Sequence, residues 1–214
     1  IGSYFGEIIK DIGTRNHIRE IPSEASTGKF TAWDLGMSDS TSIWVAETIG
    51  GEVRLMDYYE ASGESLDHYI QWLNDKGYRD YTHILPHDVM VRELQTGKSR
   101  YEFLSDAGLN IEVCPKHSVE DGIQAVRKML PNTWFNKDTT KHGVECLRNY
   151  RRVFNEKLNV FQEKPLHDWS SHGSDAFRYL AMGLDTTATT GKRSNWSQPY
   201  ETTYDGESYK SQYL

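Results

Sequence analysis

Cysteine is scarce in this chain. Its 214 residues include two cysteines, Cys114 and Cys146, which lie in unrelated sequence contexts. A chain of this length buries a sizeable hydrophobic core without a disulfide scaffold. The length therefore favours one domain plus a tail, and the two cysteines favour a reducing cytosol as the setting.

Long apolar segments and an excess of positive charge are also missing. No stretch approaches the roughly 20 apolar residues that a membrane-spanning helix needs. The opening IGSYFGEIIKDIG lacks the apolar run of a signal peptide, and its first residue, Ile, leads us to expect a fragment or processed product. The formal net charge of −7 argues against nucleic-acid binding through overall charge. It leaves room for a local basic stripe, or for acids gathered around metal ions.

The chain lacks a phosphate-binding loop as well. VRELQTGKS ends in the Gly-Lys-Ser of a P-loop, but the pattern requires a glycine where Arg92 stands. The segment also follows a helical run instead of opening one. We therefore expect no ATP-hydrolysing site in this chain.

The sequence does show an alternation of strand and helix patterns. KFTAWDLG, TSIWVAET and EVRLMDYYE predict three strands, and Gly50-Gly51 predicts a hairpin turn between the last two. Further strands (THILP, IEVCP, TWFN) alternate with helices (SLDHYIQWLNDKG, YEFLSDAG, SVEDGIQAVRKMLP, VECLRNYRRVF), followed by a hairpin (NEKLNVFQEK) and a last helix. The order predicts an α/β fold: a mixed sheet of three antiparallel strands and then parallel strands, flanked by helices on both faces.

Periodicity and composition divide the chain into three parts. Residues 1–28 show weak periodicity and are predicted to be a helix fragment and the end of a linker. Residues 29–184 form the predicted domain. Residues 185–214 are rich in Thr, Ser, Gly, Tyr and charged residues, so we predict a flexible C-terminal tail.

Three aspartates are the candidate site residues. Asp34 ends the first strand, Asp88 follows THILP, and Asp175 is predicted at the start of the last helix, which we expect to begin after the small residues at 171–173. Sites in such sheets gather at strand carboxyl ends, so we expect the three to converge. Clustered carboxylates repel one another unless divalent cations such as Mg²⁺ bind them. Two ions about 4 Å apart can hold the attacking and leaving oxygens of a phosphoryl displacement.

Each aspartate also has an ordinary explanation. Asp34 can be a turn residue, Asp88 can cap a helix, and Asp175 is favoured by a helix dipole. Asp39 can support a second metal ion or can simply bond its own turn. We expect the neighbouring histidine, His172, to lie on the surface. The topology, more than any single residue, favours a shared site.

These segments resemble the nuclease domain of the large terminase subunit of tailed bacteriophages. The resemblance rests on TAWDLGMSDSTSIW, DYYEASGESLDHYIQWLNDKGY, ILPHDV and PLHDWSSHGSDAFRYLA, and extends from about residue 28 to 183. It implies a ribonuclease H-like fold and a metal-dependent endonuclease that cuts concatemeric viral DNA during genome packaging. It also implies that Asp34, Asp88 and Asp175 are catalytic and bind Mg²⁺ or Mn²⁺, with two ions expected.

The resemblance further implies partners and a location. The partners are double-stranded DNA, an N-terminal packaging ATPase domain of the same subunit, the portal protein and the small terminase subunit. The location is the host-cell cytoplasm, without membrane association and outside the mature virion. Arg148 and Arg152, predicted to share a helix face, are candidate DNA contacts. Lys157 and Lys164 are further candidates, on a hairpin that lies beside the DNA path in this family.

Other functions stay open. A junction resolvase or an RNA-strand nuclease of the same fold would carry the same triad, and only the family resemblance separates them. A non-catalytic module that docks on the portal or on DNA is the alternative from another class. Cleavage of supercoiled plasmid in Mn²⁺ separates a nuclease from such a module.

Overall fold

The computed structural model describes residues 2–22, 24–36, 40–92 and 97–190. Within these ranges the chain forms six α-helices and nine β-strands. The helices are Gly6–Thr14 (α1), Leu66–Lys76 (α2), Arg100–Asp106 (α3), Val119–Met129 (α4), Lys141–Asn149 (α5) and Trp169–Thr190 (α6). The strands are Ile18–Arg19 (β1), Gly28–Asp34 (β2), Ser40–Ile49 (β3), Glu52–Ser62 (β4), Thr82–Leu85 (β5), Asn110–Val113 (β6), Thr133–Asn136 (β7), Arg152–Asn155 (β8) and Val160–Pro165 (β9).

Seven of these strands form one mixed sheet in the order β1-β7-β4-β3-β2-β5-β6. Strand β3 pairs antiparallel with both β2 and β4, whereas the outer pairings are parallel. Strands β8 and β9 form a separate hairpin. At the β3–β4 turn, Gly50 and Gly51 have φ values of 56° and 88°, which glycine adopts without strain. The predicted α/β fold is confirmed.

Helices cover both faces of the sheet, and each face has its own hydrophobic core. On one face, Trp44 of β3 and Phe135 of β7 pack with Phe177 of α6, in a core that α1, α4 and α5 complete. On the other face, Trp33 of β2 packs against Tyr69 of α2, and α3 closes that core. Because side chains alternate along a strand, β2 contributes to both cores.

The segment that contains α1 and β1 belongs to the folded domain, whereas residues 1–28 were predicted to be the end of a linker. Phe5, which precedes α1, and Ile9 and Ile12 of α1 lie in the core with no exposed surface. Strand β1 pairs in parallel with β7 and forms one edge of the sheet. Burial of these apolar side chains against α5 makes the segment part of the domain.

The C-terminal elements also differ from the prediction in their limits. Helix α5 ends at Asn149 because Tyr150 takes an extended conformation (φ −62°, ψ 116°), and the residues after it form β8 instead of continuing the helix. Helix α6 continues to Thr190, beyond the predicted domain end at residue 184, and residues 191–214 lie outside the described part. Within the described ranges, no helix has the length and apolar character to cross a membrane.

Candidate active site

The ends of two parallel strands bring Asp34 and Asp88 to the same edge of the sheet. Asp34 is the last residue of β2, and β2 pairs with β5 in a register that sets Ala32 opposite Ile84. After β5 ends at Leu85, the chain makes a single 3₁₀ turn, His87–Met90, which carries Asp88. The Asp34 side chain is mostly buried, with 22% of its surface exposed, whereas Asp88 is exposed.

Asp175 approaches this edge from the helix that packs across β2, β3 and β5. The prediction that this helix begins after residue 173 is wrong, since α6 begins at Trp169. Asp168 explains the earlier start: its carboxylate accepts a hydrogen bond from the Ser170 N–H at 2.9 Å, as helix-capping aspartates do. Asp175 therefore lies in the second turn of α6, away from the first-turn N–H groups that a capping residue would satisfy.

Three hydrogen bonds hold Asp175 beside the core. Arg178 donates from Nε at 3.1 Å and from Nη2 at 2.8 Å, and the Tyr150 hydroxyl donates at 2.9 Å. All three end on Oδ1, so Oδ2 takes no part in them. The Arg178 side chain is only 6% exposed, which makes this a nearly buried ion pair within one turn of α6. The pair compensates the charge of a carboxylate at the border of the core.

Asp34 lies in an environment that disfavours its charge. Burial is the main cause that raises the pKa of Asp34 to about 6, and the nearby Asp175 carboxylate adds to it, although the contact with His172 works in the opposite direction. Burial and the Asp175 charge together disfavour the ionised carboxylate of Asp34 more than its favourable neighbours stabilise it. A carboxylate in this position is suited to a strong positive partner, and the oxygen donors of Asp34 and Asp175 are those that Mg²⁺ and Mn²⁺ prefer.

His172 is a site residue that we predicted to lie on the surface. Its side chain is 11% exposed, and its Nδ1 lies 3.6 Å from Asp34 Oδ2. It precedes Asp175 by three residues, so both side chains lie on the same face of α6. The i, i+3 spacing in the sequence would have placed His172 beside Asp175, but only if the helix had been predicted to begin before His172.

Tyr179 links all three aspartates in one local environment. Its pKa is raised, first by burial and then by the negative charges of Asp34, Asp175 and Asp88. The phenol group of Tyr179 therefore lies close enough to each of the three carboxylates for their charges to affect it. The three do not all place a carboxylate oxygen within 4.8 Å of the other two, the limit that a second group of residues in the described part of the chain does meet. Asp39 lies outside the described residues.

The structure separates two of the candidate DNA contacts. Arg148 is in the last turn of α5, where it pairs with Glu145, but Arg152 begins β8 and its guanidinium lies 5.3 Å from the Tyr4 ring centroid. The prediction of a shared helix face is therefore wrong, because α5 ends between them. Lys157 lies in the turn of the β8–β9 hairpin and Lys164 lies in β9, and both are exposed.

Comparison with solved structures finds the same fold in phage packaging proteins. The large terminase of one thermophilic bacteriophage, solved in complex with ATP-gamma-S, is similar with a TM-score of 0.64 and 16% identity, over 81% of this chain and 44% of that one. The P22 large terminase nuclease domain is similar with a TM-score of 0.58 and 18% sequence identity, over 79% of this chain and 89% of that one. The large terminase nuclease of thermophilic phage G20c, solved with bound magnesium, is similar with a TM-score of 0.57 and 13% sequence identity. That match covers 85% of this chain and 97% of the other.

These similarities have clear limits in length and in sequence. This chain spans less than half of the terminase solved with ATP-gamma-S but nearly all of the P22 and G20c nuclease domains. No family model and no curated protein sequence matches the chain. The agreement is thus one of three-dimensional structure at low sequence identity, and on that basis the chain has the fold of the nuclease domain of bacteriophage large terminases.

Proposed function

We propose that this chain is a divalent-metal-dependent DNA endonuclease, the nuclease domain of a large terminase subunit that cuts concatemeric viral DNA during packaging. The observation that carries the proposal is the placement of Asp34, Asp88 and Asp175 at one edge of the sheet. The fold shared with the P22 and G20c nuclease domains supports it. The magnesium bound to the G20c domain supports a divalent ion as cofactor.

Asp34, Asp88 and Asp175 are the residues that would hold Mg²⁺ or Mn²⁺, and we expect two ions. When bound, such ions polarise the scissile phosphate and favour attack by water. Arg178 and Tyr150 orient Asp175 by fixing its Oδ1. His172 stands against Asp34 Oδ2, where its ring can hold or pass on a proton during hydrolysis. No side chain is required as a covalent nucleophile.

The wider assembly is part of the same proposal. The terminase solved with ATP-gamma-S is more than twice as long as its matched segment, and its bound nucleotide analogue supports an ATPase domain as a partner of the nuclease domain. Double-stranded DNA is the proposed substrate. We propose Arg148, Arg152, Lys157 and Lys164 as DNA contacts, because all four are exposed and lie on the hairpin or beside it. The portal protein, the small terminase subunit and the host-cell cytoplasm complete the proposal.

The test is cleavage of supercoiled plasmid by the purified chain, with Mn²⁺ and with EDTA. We expect nicked and then linear DNA only with the metal ion, and loss of both products in Asp34→Asn and Asp88→Asn. A four-way junction offered beside a linear duplex of equal length tests the resolvase alternative. Preference for the junction would favour a resolvase, and binding of DNA without any cleavage would favour a docking module.

A further inference from the structure

A second cluster of potential metal ligands lies outside the aspartate site. Glu60 near the end of β4 and His142 and Cys146 of α5 place their ligand atoms within 4.8 Å of one another. His142 Nε2 lies 3.6 Å from Glu60 Oε2. His142 and Cys146 are separated by four residues, so the helix presents both side chains on one face. Three different donor groups therefore converge from two elements of the fold.

Neighbouring groups hold this cluster in position. The Tyr58 hydroxyl donates a hydrogen bond to Glu60 Oε2 and lies 4.0 Å from Cys146 Sγ. Cys146 Sγ also lies 3.9 Å from the carbonyl oxygen of Trp169, the first residue of α6. Gly173 permits this close approach, since a Cβ there would stand 3.1 Å from Cys146 Sγ. The cluster thus joins β4, α5 and the first turn of α6.

The chemistry of these donors differs from that of the aspartates. Mg²⁺ and Ca²⁺ take oxygen ligands, whereas thiolate and imidazole together select Zn²⁺ and related transition metals. Ligand atoms in a tetrahedral site lie about 3 to 4 Å apart, as follows from Zn–S bonds of about 2.3 Å and Zn–N bonds of about 2.0 Å. The ligand atoms of Glu60 and His142 already have that spacing, at 3.6 Å, and an ion would draw in any pair that is nearer to the 4.8 Å limit.

We propose that Glu60, His142 and Cys146 form a binding site for a transition-metal ion of the Zn²⁺ class, with water as the fourth ligand. The His142 side chain is 58% exposed, which gives an ion and its water a route from solvent. On binding, the Cys146 Sγ–H bond breaks, its proton leaves to solvent and the sulfur binds the ion. The ion would link β4 to α5 beside the first turn of α6.

The site lies close to the aspartates but is separate from them. Across the sheet, Glu60 pairs with Ser42, and Ser42 pairs with Asp34. Two strand spacings of about 4.8 Å therefore separate Glu60 from Asp34, or about 10 Å. An experiment must distinguish ions bound at the two sites, and thiolate ligation makes that possible, since the described aspartate site contains no sulfur.

The experiment is a titration of the purified, metal-stripped chain with Co²⁺, followed by absorption spectroscopy. A cobalt–thiolate bond gives a charge-transfer band in the near ultraviolet, and oxygen ligands do not. We expect this band to reach a plateau with the intensity of one cobalt–thiolate bond per chain and to disappear when Zn²⁺ displaces Co²⁺. Asp34→Asn should keep the band, since that variant alters only the aspartate site.

Two cysteine variants give a matched comparison. Cys146→Ser should abolish the band. Cys114→Ser should leave it unchanged, although Cys114 is also buried and lies 3.8 Å from His117 Nδ1, because that pair has no third ligand within reach in the described structure. His142→Ala changes an exposed side chain and should keep the fold, so it tests the site even when Cys146→Ser is unstable. We expect it to weaken Co²⁺ binding at least tenfold.

The outcomes decide between the site and ordinary packing. Absence of the band in the parent chain would overturn the proposal, as would a band that survives Cys146→Ser or is lost in Cys114→Ser. Unchanged Co²⁺ affinity in His142→Ala would overturn it too. None of these results depends on cleavage of DNA, so the proposed nuclease activity is tested independently.

Discussion

The two faces of strand β2 bury polar groups in different ways. On the α2 face, Thr31 shares a 2.7 Å hydrogen bond with His83 Nδ1 and accepts another from Trp33 Nε1, while His83 Nε2 bonds to the Arg79 carbonyl oxygen. On the α6 face, Asp34 lies near a second carboxylate. The first arrangement is neutral and its polar atoms are paired. The second retains charge.

The pKa values express the same difference. Burial lowers the pKa of His83 to about 4, so the imidazole is neutral at physiological pH and both ring nitrogens are paired. Burial raises the pKa of Asp34 to about 6, but the ionised form still prevails at pH 7 and lies near Asp175. A hydrogen-bond network that only stabilises the fold can be built from neutral groups, as around His83. Carboxylates that bind a metal ion must be ionised. The contrast supports stabilisation as the role of one face and ion binding as the role of the other.

The largest effect on stability is expected from breaking the neutral network. His83→Ala leaves a cavity, and both Thr31 and the Arg79 carbonyl lose a partner, so we expect a loss of about 3 kcal/mol in the free energy of unfolding. Urea denaturation measures it. His87→Ala, an exposed control just beyond the end of β5, should cost under about 0.5 kcal/mol. Equal losses in the two variants would contradict the role given to His83.

A smaller loss is expected when the charged face loses its cation. Arg178→Met leaves Asp175 without its ion-pair partner, and we expect the free energy of unfolding to fall by about 2 kcal/mol, since Asp175 keeps some access to water. Arg15→Met is the matched control: Arg15 pairs with Asp11 at 3.0 Å, but both side chains are exposed. That variant should cost under about 0.5 kcal/mol. Similar costs would mean that the Arg178 pair behaves as a surface pair.

The smallest expected effect is an increase in the free energy of unfolding, for Asp34→Asn, and its size depends on pH. Because the folded protein raises the pKa of Asp34 from 3.8 to about 6, this carboxyl favours folding most below pH 3.8, and that contribution is lost as the pH rises through 6. Asn does not titrate. The full shift corresponds to about 3 kcal/mol, and loss of the favourable contact of the carboxylate with His172 offsets part of it. In EDTA at pH 7.5, Asp34→Asn should therefore be about 1–2 kcal/mol more stable than the parent. Melting curves from pH 3.5 to 7.5 measure the difference, and a gain that does not shrink in acid would contradict the assigned cause.

The fold was predictable wherever its determinants are local. Leu66, Ile70 and Leu73 repeat at helical spacing before Gly77, whose φ of 75° ends α2 as predicted. Ser118 and Asp121 form the reciprocal cap that starts α4. Both signals lie within a few residues of the element that they define.

The errors occur where distant residues decide the structure. Helix α1 has apolar residues at helical spacing, but its place in the domain depends on packing against α5, which lies far along the chain. The placement of Asp175 beside Tyr150 likewise depends on how two helices meet. Topology predicted that Asp34 and Asp88 follow neighbouring strands, and the pairing of β2 with β5 agrees with that. The partners Arg178 and His172 required the helix to be placed in three dimensions.

The most direct test of the nuclease proposal compares the parent chain with Asp175→Asn on supercoiled plasmid in Mn²⁺. Asn retains an oxygen that can accept from Arg178 but lacks the charge that binds an ion. We expect a rate of cleavage lower by about 100-fold or more, with circular dichroism unchanged and with Asp75→Asn, exposed on α2, as active as the parent. Cleavage by Asp175→Asn at close to the parent rate would contradict the site.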